Sequence, residues 1–213
     1  MKALRYQKQR GGFTLMEIII AIAILAMLSA LVWQSSKLVN TRKMCKTAEI
    51  QIGQLEAALN DYRQDNSDTV PYGDGDPWSS HMLYQALYCD ENNDGEPDKD
   101  KNSDEPREPY CAAIVPIEDL KKTTEIQNGI PAIKINTKAK RGKKGGKFYV
   151  LIDPWGKPYL YRTGFELRDE HDHRGKGINA DFDIFSQGPD GLGDGRNNTG
   201  DNEDNISNIR TWD

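Results

Sequence analysis

An uninterrupted apolar run near the N-terminus constrains this 213-residue chain more than any other feature. The run covers residues 13–33, and Glu17 is its single charged residue. At 1.5 Å per residue it forms about 30 Å of helix, which is the length needed to cross the hydrocarbon core of a bilayer. The sequence therefore predicts a membrane-spanning helix over residues 13–33.

The segment before the run, residues 1–12, is basic. It contains four Lys or Arg residues and no acid, whereas the whole chain has a net charge of −5. Because basic flanks stay on the cytoplasmic side, we expect residues 1–12 in the cytoplasm and the chain beyond residue 33 across the membrane. The acidic balance of the chain argues against nucleic-acid binding and favours divalent cations as ligands.

Three interpretations of the apolar run compete. A cleaved secretory signal ends in a small-x-small site, and residues 28–36 offer no convincing one. A plain signal anchor explains the length of the run but not Glu17, whose carboxylate costs about 2.5 kcal/mol or more to insert. The third interpretation depends on the residues that precede the run.

Those residues carry a resemblance to a known family. The sequence Gly11-Gly12-Phe13-Thr14-Leu15-Met16-Glu17 resembles the signal of type IV prepilins, in which a basic leader ends in Gly before Phe-Thr-Leu-x-Glu. The resemblance implies that a prepilin peptidase cuts between Gly12 and Phe13 and methylates the new amine of Phe13. It also implies that the apolar helix is kept, and that Glu17 pairs with the Phe13 amine of a neighbouring subunit during assembly.

The helical pattern continues beyond the membrane segment. From Cys45 to Tyr62, apolar residues recur at three- and four-residue steps with charged residues between them. Because residues 13–70 contain no proline, we predict a single helix of about 80 Å over residues 13–65. Residues 34–65 are its amphipathic half.

Residues 66–213 are predicted to form a periplasmic globular domain. The pattern predicts a second helix at 78–89, a solvated loop at 90–109, and short strands at 114–116, 130–135, 147–152, 158–162 and 182–185. We therefore expect an α+β fold in which three or four antiparallel strands form a small sheet on the C-terminal half of the long helix. A pilin-like lollipop has this organisation.

Two motifs in this domain carry a second resemblance. Asp153-Pro154-Trp155-Gly156 predicts a tight turn, with Pro at its second position and Gly at its fourth. The stretch Asp-Pro-Trp-Gly-x-Pro-Tyr, followed by a strand and Gly188-Pro189-Asp190-Gly191, is similar to the major pseudopilins of type II secretion systems, the general secretion pathway protein G type.

That resemblance implies a calcium ion bound in the C-terminal loop. Calcium takes six to eight oxygen ligands, which carboxylates and carbonyls supply. The loop is longer here than in the family, and an amide replaces the second closing acid, so two further aspartates compete for the ligand role. The ligand candidates are the carboxylate of Asp190, the carbonyls of Gln187 and Leu192, the side chains of Asp204 and Asn205, and the competing Asp194 and Asp201. An unstructured acidic tail is the alternative.

The three cysteines leave two alternatives open. In an exported domain Cys89 and Cys111 form a disulfide, which closes a loop of about twenty residues and stabilises the fold by about 3 kcal/mol, or they remain free, partly buried thiols. Cys45 is expected to be unpaired on the long helix.

Three charged motifs are ambiguous. Residues 90–98 resemble the first half of an EF-hand loop, but Lys101 stands where the closing Glu belongs. Two interpretations of this segment remain open, a binding site for a second calcium ion and a solvated insertion. The basic run 138–147 is expected to be a surface loop, with an electrostatic contact to the next subunit as the alternative. Residues 171–173, His-Asp-His, lack a third metal ligand nearby and are expected to form a solvated turn.

The functional expectation is structural rather than catalytic, because the sequence contains no nucleophile elbow and no HExxH motif. The resemblances imply an inner-membrane subunit that assembles with copies of itself and with minor pseudopilins on an inner-membrane platform. The nearest alternative is a type IV pilus subunit for adhesion, motility or DNA uptake. Such subunits usually close their C-terminus with a disulfide, whereas no cysteine follows Cys111 here. A more distant alternative is a membrane-anchored calcium-dependent module that never polymerises.

Overall fold

The structure is a computed structural model of the chain. It describes residues 12, 14–73, 75, 77–100, 103–119, 121, 126, 129–137, 146–163, 181–192 and 206–207, without the side chains of residues 30–38, 77, 78 and 137. The chain forms two compact units, Met1–Arg42 and Lys43–Asp213.

The long helix is present as α1, Leu15–Asp65, which confirms the predicted helix with a start two residues later. It ends where Ser67 and Asp68 take the left-handed backbone conformation, with φ of 55° and 61°. The Asp68 N–H donates to the Arg63 carbonyl at 2.9 Å, which satisfies one of the last carbonyls of the helix. Among the residues that the structure describes with their side chains, no helix offers a stretch long and apolar enough to cross a membrane.

The predicted apolar stripe of α1 lies in the core of the second unit. Its five fully buried members expose 3% of their surface or less: Ala48, Ile52, Leu55, Ala58 and Leu59.

The second helix, α2, spans Pro77–Tyr88, and Pro is favourable at the first helical position because the N–H that it lacks would have no partner within the helix there. Leu83 and Leu87 of α2 are fully buried.

Six strands complete the second unit. They are β1 (Ile114–Ile117), β2 (Ile130–Thr137), β3 (Gly146–Leu151), β4 (Leu160–Thr163), β5 (Phe182–Ser186) and β6 (Ile206–Ser207). They form two sheets, in the orders β1-β2-β3 and β4-β5-β6. The predicted positions of β1 to β5 are confirmed within two residues at either end, while β6 was not predicted.

The expectation of purely antiparallel strands is wrong at one pair. β1 runs parallel to β2, with Ile114 opposite Ile130 and Ile117 opposite Ile133. A parallel pair needs a crossover of about a dozen residues, and the connection from residue 118 to residue 129 has this length. The remaining strand pairs are antiparallel.

The predicted turn at Asp153 joins the two sheets. The Gly156 N–H donates to the Asp153 carbonyl at 2.9 Å, and Gly156 has a φ of 81°, which glycine adopts without strain. The Tyr159 N–H donates to the Leu151 carbonyl at 3.0 Å, so the chain folds back on β3 before β4 begins. Trp155 lies half-buried on this turn.

Candidate functional site

The first candidate site is the start of α1. Thr14 immediately precedes the helix, and its N–H and its hydroxyl both donate to Glu17 Oε2 at 2.8 Å. The Glu17 N–H donates in return to the Thr14 hydroxyl at 3.3 Å. This reciprocal pattern is a capping box, which satisfies N–H groups that the first turn of a helix leaves unpaired. The spacing Thr14-x-x-Glu17 is the sequence signature of such a box.

The bond predicted to be cleaved lies directly before this box. Gly12 is exposed and lies outside the helix, and nothing lies within 4 Å of the position of a Cβ on it. Phe13 lies outside the described residues. Glu17 therefore stands, as predicted, within the first turn after the processing position, and its carboxylate is exposed.

The first part of the helix that follows carries a large exposed apolar surface. Ten large apolar side chains between Leu15 and Leu28 each expose at least 49% of their surface. Contiguous apolar surface of this extent marks a surface that lipid or protein covers.

The second candidate site is the turn that follows β5. Gly188 and Gly191 have φ of 67° and 71°, so they allow the backbone to fold tightly over residues 187–192. Asp190 Oδ1 accepts the Leu192 N–H at 2.8 Å. A Cβ on Gly191 would collide with the side chain of Lys157, so the turn packs closely on the Asp153 turn.

Strand β6 returns the chain to the beginning of this turn. Ser186 pairs with Ile206, and Phe185 pairs with Ser207. The predicted ligands Asp204 and Asn205 directly precede Ile206 in the chain.

The oxygen chemistry of this region fits a hard cation, since the candidate donors are carboxylates, an amide and carbonyls. Gln187, Asp190 and Leu192 belong to the described turn, whereas Asp194, Asp201, Asp204 and Asn205 lie outside the described residues. Within the described part of the chain, no three His, Cys, Asp or Glu side chains come together as a metal-binding group.

A buried hydrogen-bond network connects this turn to the Asp153 turn. Asp153 exposes 2% of its surface and accepts three hydrogen bonds, from the N–H of Trp155 at 3.0 Å, the N–H of Lys157 at 2.8 Å and the hydroxyl of Ser186 at 2.5 Å. The Gly188 N–H donates to Ser186 Oγ at 3.1 Å. Burial raises the pKa of the Asp153 carboxyl, and the Ser186 hydrogen bond opposes that rise.

The acidic loop after α2 differs from the predicted solvated loop at its first residue. Asp90 is completely buried, although its neighbours Glu91, Asn92 and Asp94 are exposed. Asp90 accepts the Tyr84 hydroxyl at 2.6 Å. It also accepts the N–H groups of Asn93, Asp94 and Gly95 at 2.7, 3.2 and 2.9 Å. Burial raises the pKa of Tyr84, so its phenol stays protonated as the donor.

The three cysteines are free thiols in the structure. Cys89 and Cys111 are buried, and this burial raises the pKa of both thiols. Cys89 Sγ lies 3.9 Å from the carbonyls of Ala86 and Glu108. The structure thus has Cys89 and Cys111 as the free, buried thiols of one of the two alternatives, and the disulfide stays a prediction. Cys45 is half-buried on α1.

Two predicted motifs cannot be placed. Residues 138–145 of the basic run and the His-Asp-His sequence at 171–173 lie outside the described residues.

The N-terminus therefore combines a basic leader, a capped acid in the first turn and an exposed apolar helix, which is the organisation of a type IV pilin-like, prepilin-processed protein. Residues 7–33 match the family model of the prokaryotic N-terminal methylation motif. The matched stretch contains the Gly12–Phe13 bond, Glu17 and the whole apolar run. Neither a characterised protein nor a solved structure shows significant similarity to the chain.

Proposed function

We propose that this chain is a structural, non-enzymatic subunit of a type II secretion pseudopilus. After residues 1–12 are removed, the subunit polymerises with copies of itself and with minor pseudopilins on an inner-membrane platform, and the filament drives proteins across the outer membrane. The observation that carries the proposal is the methylation motif over residues 7–33, continuous with a helix whose apolar side chains are exposed.

In this proposal lipid covers the apolar surface of Leu15–Leu28 while the subunit waits in the inner membrane, and neighbouring helices cover it in the filament. Because lipid is as apolar as these side chains, van der Waals packing between the helices stabilises the assembly. The unit from Lys43 onward lies in the periplasm and coats the filament. This arrangement agrees with the basic leader, which keeps residues 1–12 in the cytoplasm.

Glu17 would set the register between subunits. Cleavage creates an ammonium on Phe13, and a lone charge is costly in a layer of low dielectric unless an opposite charge offsets it. Glu17 Oε2 already accepts two hydrogen bonds from Thr14. A carboxylate offers about four lone-pair positions, so the remaining ones can accept the ammonium of an adjacent subunit.

Calcium would brace the C-terminal end of the globular unit. The donors proposed are Gln187, Asp190 and Leu192 in the turn, with Asp194, Asp201, Asp204 and Asn205 beyond it. The ion would supply a positive centre that ties the turn after β5 to the chain that enters β6. The register of Ser186 opposite Ile206 supports this assignment, because it closes the segment between them into a loop.

The pseudopilus is preferred to a type IV pilus because of the C-terminal half of the chain. Asp153–Gly156 and Gly188–Gly191 resemble the pseudopilin motifs, and they pack on one another through Asp153 and Ser186. Residues 112–213 contain no cysteine, whereas type IV pilus subunits usually carry a disulfide in this part of the chain.

Two substitutions of Glu17 test the assembly role. Glu17→Ala removes both the cap and the charge, whereas Glu17→Gln keeps an acceptor for Thr14 and removes only the charge. We expect both variants to insert and to be cleaved. Both should give less than about a tenth of the wild-type filament yield, because the Phe13 ammonium of the neighbouring subunit is then left without an opposite charge in a layer of low dielectric. Filament yield is measured by shearing and pelleting, and cleavage by mass spectrometry of the membrane-extracted chain.

Glu49→Gln is the matched control, since Glu49 is an exposed glutamate of the same helix and pairs with Lys46 on the surface. It should assemble like the wild type. Normal filament yield from Glu17→Gln would reduce Glu17 to a helix cap and remove the proposed pairing. A mature protein that does not begin with methylated Phe13 would remove the processing step itself.

A further inference from the structure

We infer that Cys89 and Cys111 are a redox pair that locks the base of the acidic insertion, residues 90–110, when the chain enters an oxidising compartment. The sequence leaves the disulfide and the free thiols open, and the structure describes the reduced form, in which both thiols are buried. The inference rests on the proposed function for the compartment alone, because the periplasm is oxidising whereas the cytoplasm keeps thiols reduced.

The insertion leaves the fold at one cysteine and rejoins it at the other. Cys89 directly follows α2, and Cys111 lies three residues before β1. Between them the chain folds back on itself: the Asp98 N–H donates to the Cys89 carbonyl at 2.7 Å, and the Arg107 N–H donates to the Asp98 carbonyl at 2.8 Å. A covalent bond between Cys89 and Cys111 therefore closes the insertion at its base.

Contacts across the base hold the two cysteines close to each other. The Cys111 N–H donates to the carbonyl of Leu87, two residues before Cys89, at 3.1 Å. In the other direction, Cys89 Sγ lies 3.9 Å from the Glu108 carbonyl, and the Tyr110 N–H donates to the Cys89 sulfur. Each cysteine thus contacts the chain within two residues of the other.

The Cys111 thiol is the group that has to move when the bond forms. In the reduced form its sulfur accepts the N–H groups of Ala113 and Ile114. Cys89 and Cys111 expose 2% and 4% of their surface, so an oxidant reaches them only when the base opens. Burial also raises the pKa of both thiols, and the thiolate is the reactive form. Oxidation should therefore be slow at neutral pH and faster as the pH rises.

The exchange has two steps, with a disulfide such as oxidised glutathione as the oxidant. The thiolate of one cysteine attacks a sulfur of the oxidant, the S–S bond of the oxidant breaks, and the thiolate that leaves takes up a proton. The second cysteine then attacks the sulfur of the first, forms the Cys89–Cys111 bond and displaces the other thiolate, which takes up the second proton. The two cysteines lose two electrons and two protons, and the oxidant becomes two thiols.

The lock also holds the contact between the insertion and the long helix. Tyr110 directly precedes Cys111, and its hydroxyl donates to Asp65 at 3.1 Å. Its ring lies edge-on against Tyr62, with 5.3 Å between the ring centroids. Tyr62 and Asp65 belong to the last turn of α1. The disulfide therefore connects the end of α2 to the end of α1 through the insertion.

The test compares the full chain in detergent micelles after incubation with dithiothreitol and after incubation with oxidised glutathione. We expect non-reducing peptide mapping by mass spectrometry to recover a Cys89–Cys111 disulfide from the oxidised sample. The Tm of the oxidised chain should be higher by roughly 6–12 °C, because the bond constrains a loop of about twenty residues in the unfolded chain.

Two variants serve as controls. Cys45→Ser removes the third thiol, which is half-buried on α1, and should keep both the disulfide and the rise in Tm. The double variant with Cys89→Ser and Cys111→Ser should have the same Tm in the two buffers, whatever its Tm is relative to the wild type.

Free thiols or glutathione adducts at Cys89 and Cys111 after oxidation, or a disulfide that includes Cys45, would overturn the pairing. A Cys89–Cys111 disulfide that leaves the Tm unchanged would overturn the lock. Mapping of the chain taken from cells with its thiols blocked then tests the compartment. A pair that oxidises in micelles but is reduced in cells would contradict the periplasmic placement in the proposed function, while the pairing itself stands.

Discussion

At the scale of single residues, burial separates two aspartates that look alike in the sequence. Asp90 begins an EF-hand-like stretch, but the structure uses its carboxylate as an internal acceptor for Tyr84 and three backbone N–H groups. A carboxylate whose oxygens are already occupied in this way stabilises a loop without an ion. Asp190 is exposed, and its Oδ1 accepts the backbone N–H of Leu192.

A buried histidine makes stability depend on pH. His81 exposes 2% of its surface, its Nδ1 lies 3.1 Å from the Tyr149 carbonyl, and its ring lies against Phe148. Burial lowers the pKa of His81 below its usual 6.5, against a smaller opposing influence from Asp90. The unfolded chain therefore binds this proton more readily than the folded chain. The contribution of neutral His81 to the free energy of unfolding is fully present above pH 6.5. Below that value it falls by at most about 1.4 kcal/mol per pH unit, until the pH reaches the pKa of His81 in the folded state.

Urea unfolding at pH 7.5 and pH 5.5, followed by tryptophan fluorescence, measures this loss. His81→Gln should remove most of the difference between the two pH values. Asp153 affects the pH dependence of the free energy of unfolding with the opposite sign. Its pKa is raised by burial, so the folded state binds the proton of this carboxyl more readily than the unfolded chain does. The comparison between wild type and His81→Gln cancels this shared contribution, and an equal pH dependence in the two proteins would contradict the prediction.

At the scale of elements, one buried polar side chain fixes the long helix on the sheets. Gln51 of α1 exposes 6% of its surface, donates from Nε2 to the Gly129 carbonyl at 2.8 Å, and accepts the Tyr159 hydroxyl at 2.6 Å. Gly129 precedes β2 and Tyr159 precedes β4, so a single residue of the helix contacts the beginning of both. The apolar stripe selects the buried face of α1, and these two bonds fix its register.

Gln51→Leu tests that attachment. The leucine fills a similar volume but leaves the Tyr159 hydroxyl and the Gly129 carbonyl buried without this partner, at a cost of about 1–3 kcal/mol each. We expect urea unfolding to show a loss of about 2–5 kcal/mol. Adding Tyr159→Phe should restore part of it, because one of the two orphaned groups is then removed. Asn60→Leu, at an exposed position of the same helix, should stay within about 0.5 kcal/mol of the wild type.

The elements also show what the sequence can predict. The α1 stripe and the positions of β1 to β5 follow from local periodicity and turn residues, and Glu17 follows from a contiguous motif. The parallel pairing of β1, the burial of Asp90 and the bond from Ser186 to Asp153 depend on residues that meet only after folding. β6 was missed because two residues, Ile206 and Ser207, give no periodic signal within an acidic and amide-rich stretch.

At the scale of the whole molecule, the two units differ in where their apolar surface lies. In the described part of the chain, the first buried apolar residue is Ala48, and the main core cluster extends from Ile52 to Ile184. Before residue 30 the large apolar side chains are exposed instead. The described residues after 43 therefore bury a core of their own, whereas the apolar side chains of Leu15–Leu28 are left exposed. In the proposed function, folding and assembly thus belong to different parts of one chain.

A shortened chain that begins at Lys43 separates these two tasks. We expect it to fold as a monomer that needs no detergent, with thermal unfolding close to that of the full chain in micelles, because every member of the core cluster is retained. It should form no filaments and should not compete with the full chain for assembly, since it lacks both Glu17 and the apolar surface of Leu15–Leu28. Size-exclusion chromatography and co-pelleting with full-length filaments measure the two properties. Co-pelleting of the shortened chain would show that globular contacts alone drive assembly, and a shortened chain that fails to fold would show that residues 1–42 contribute to the core.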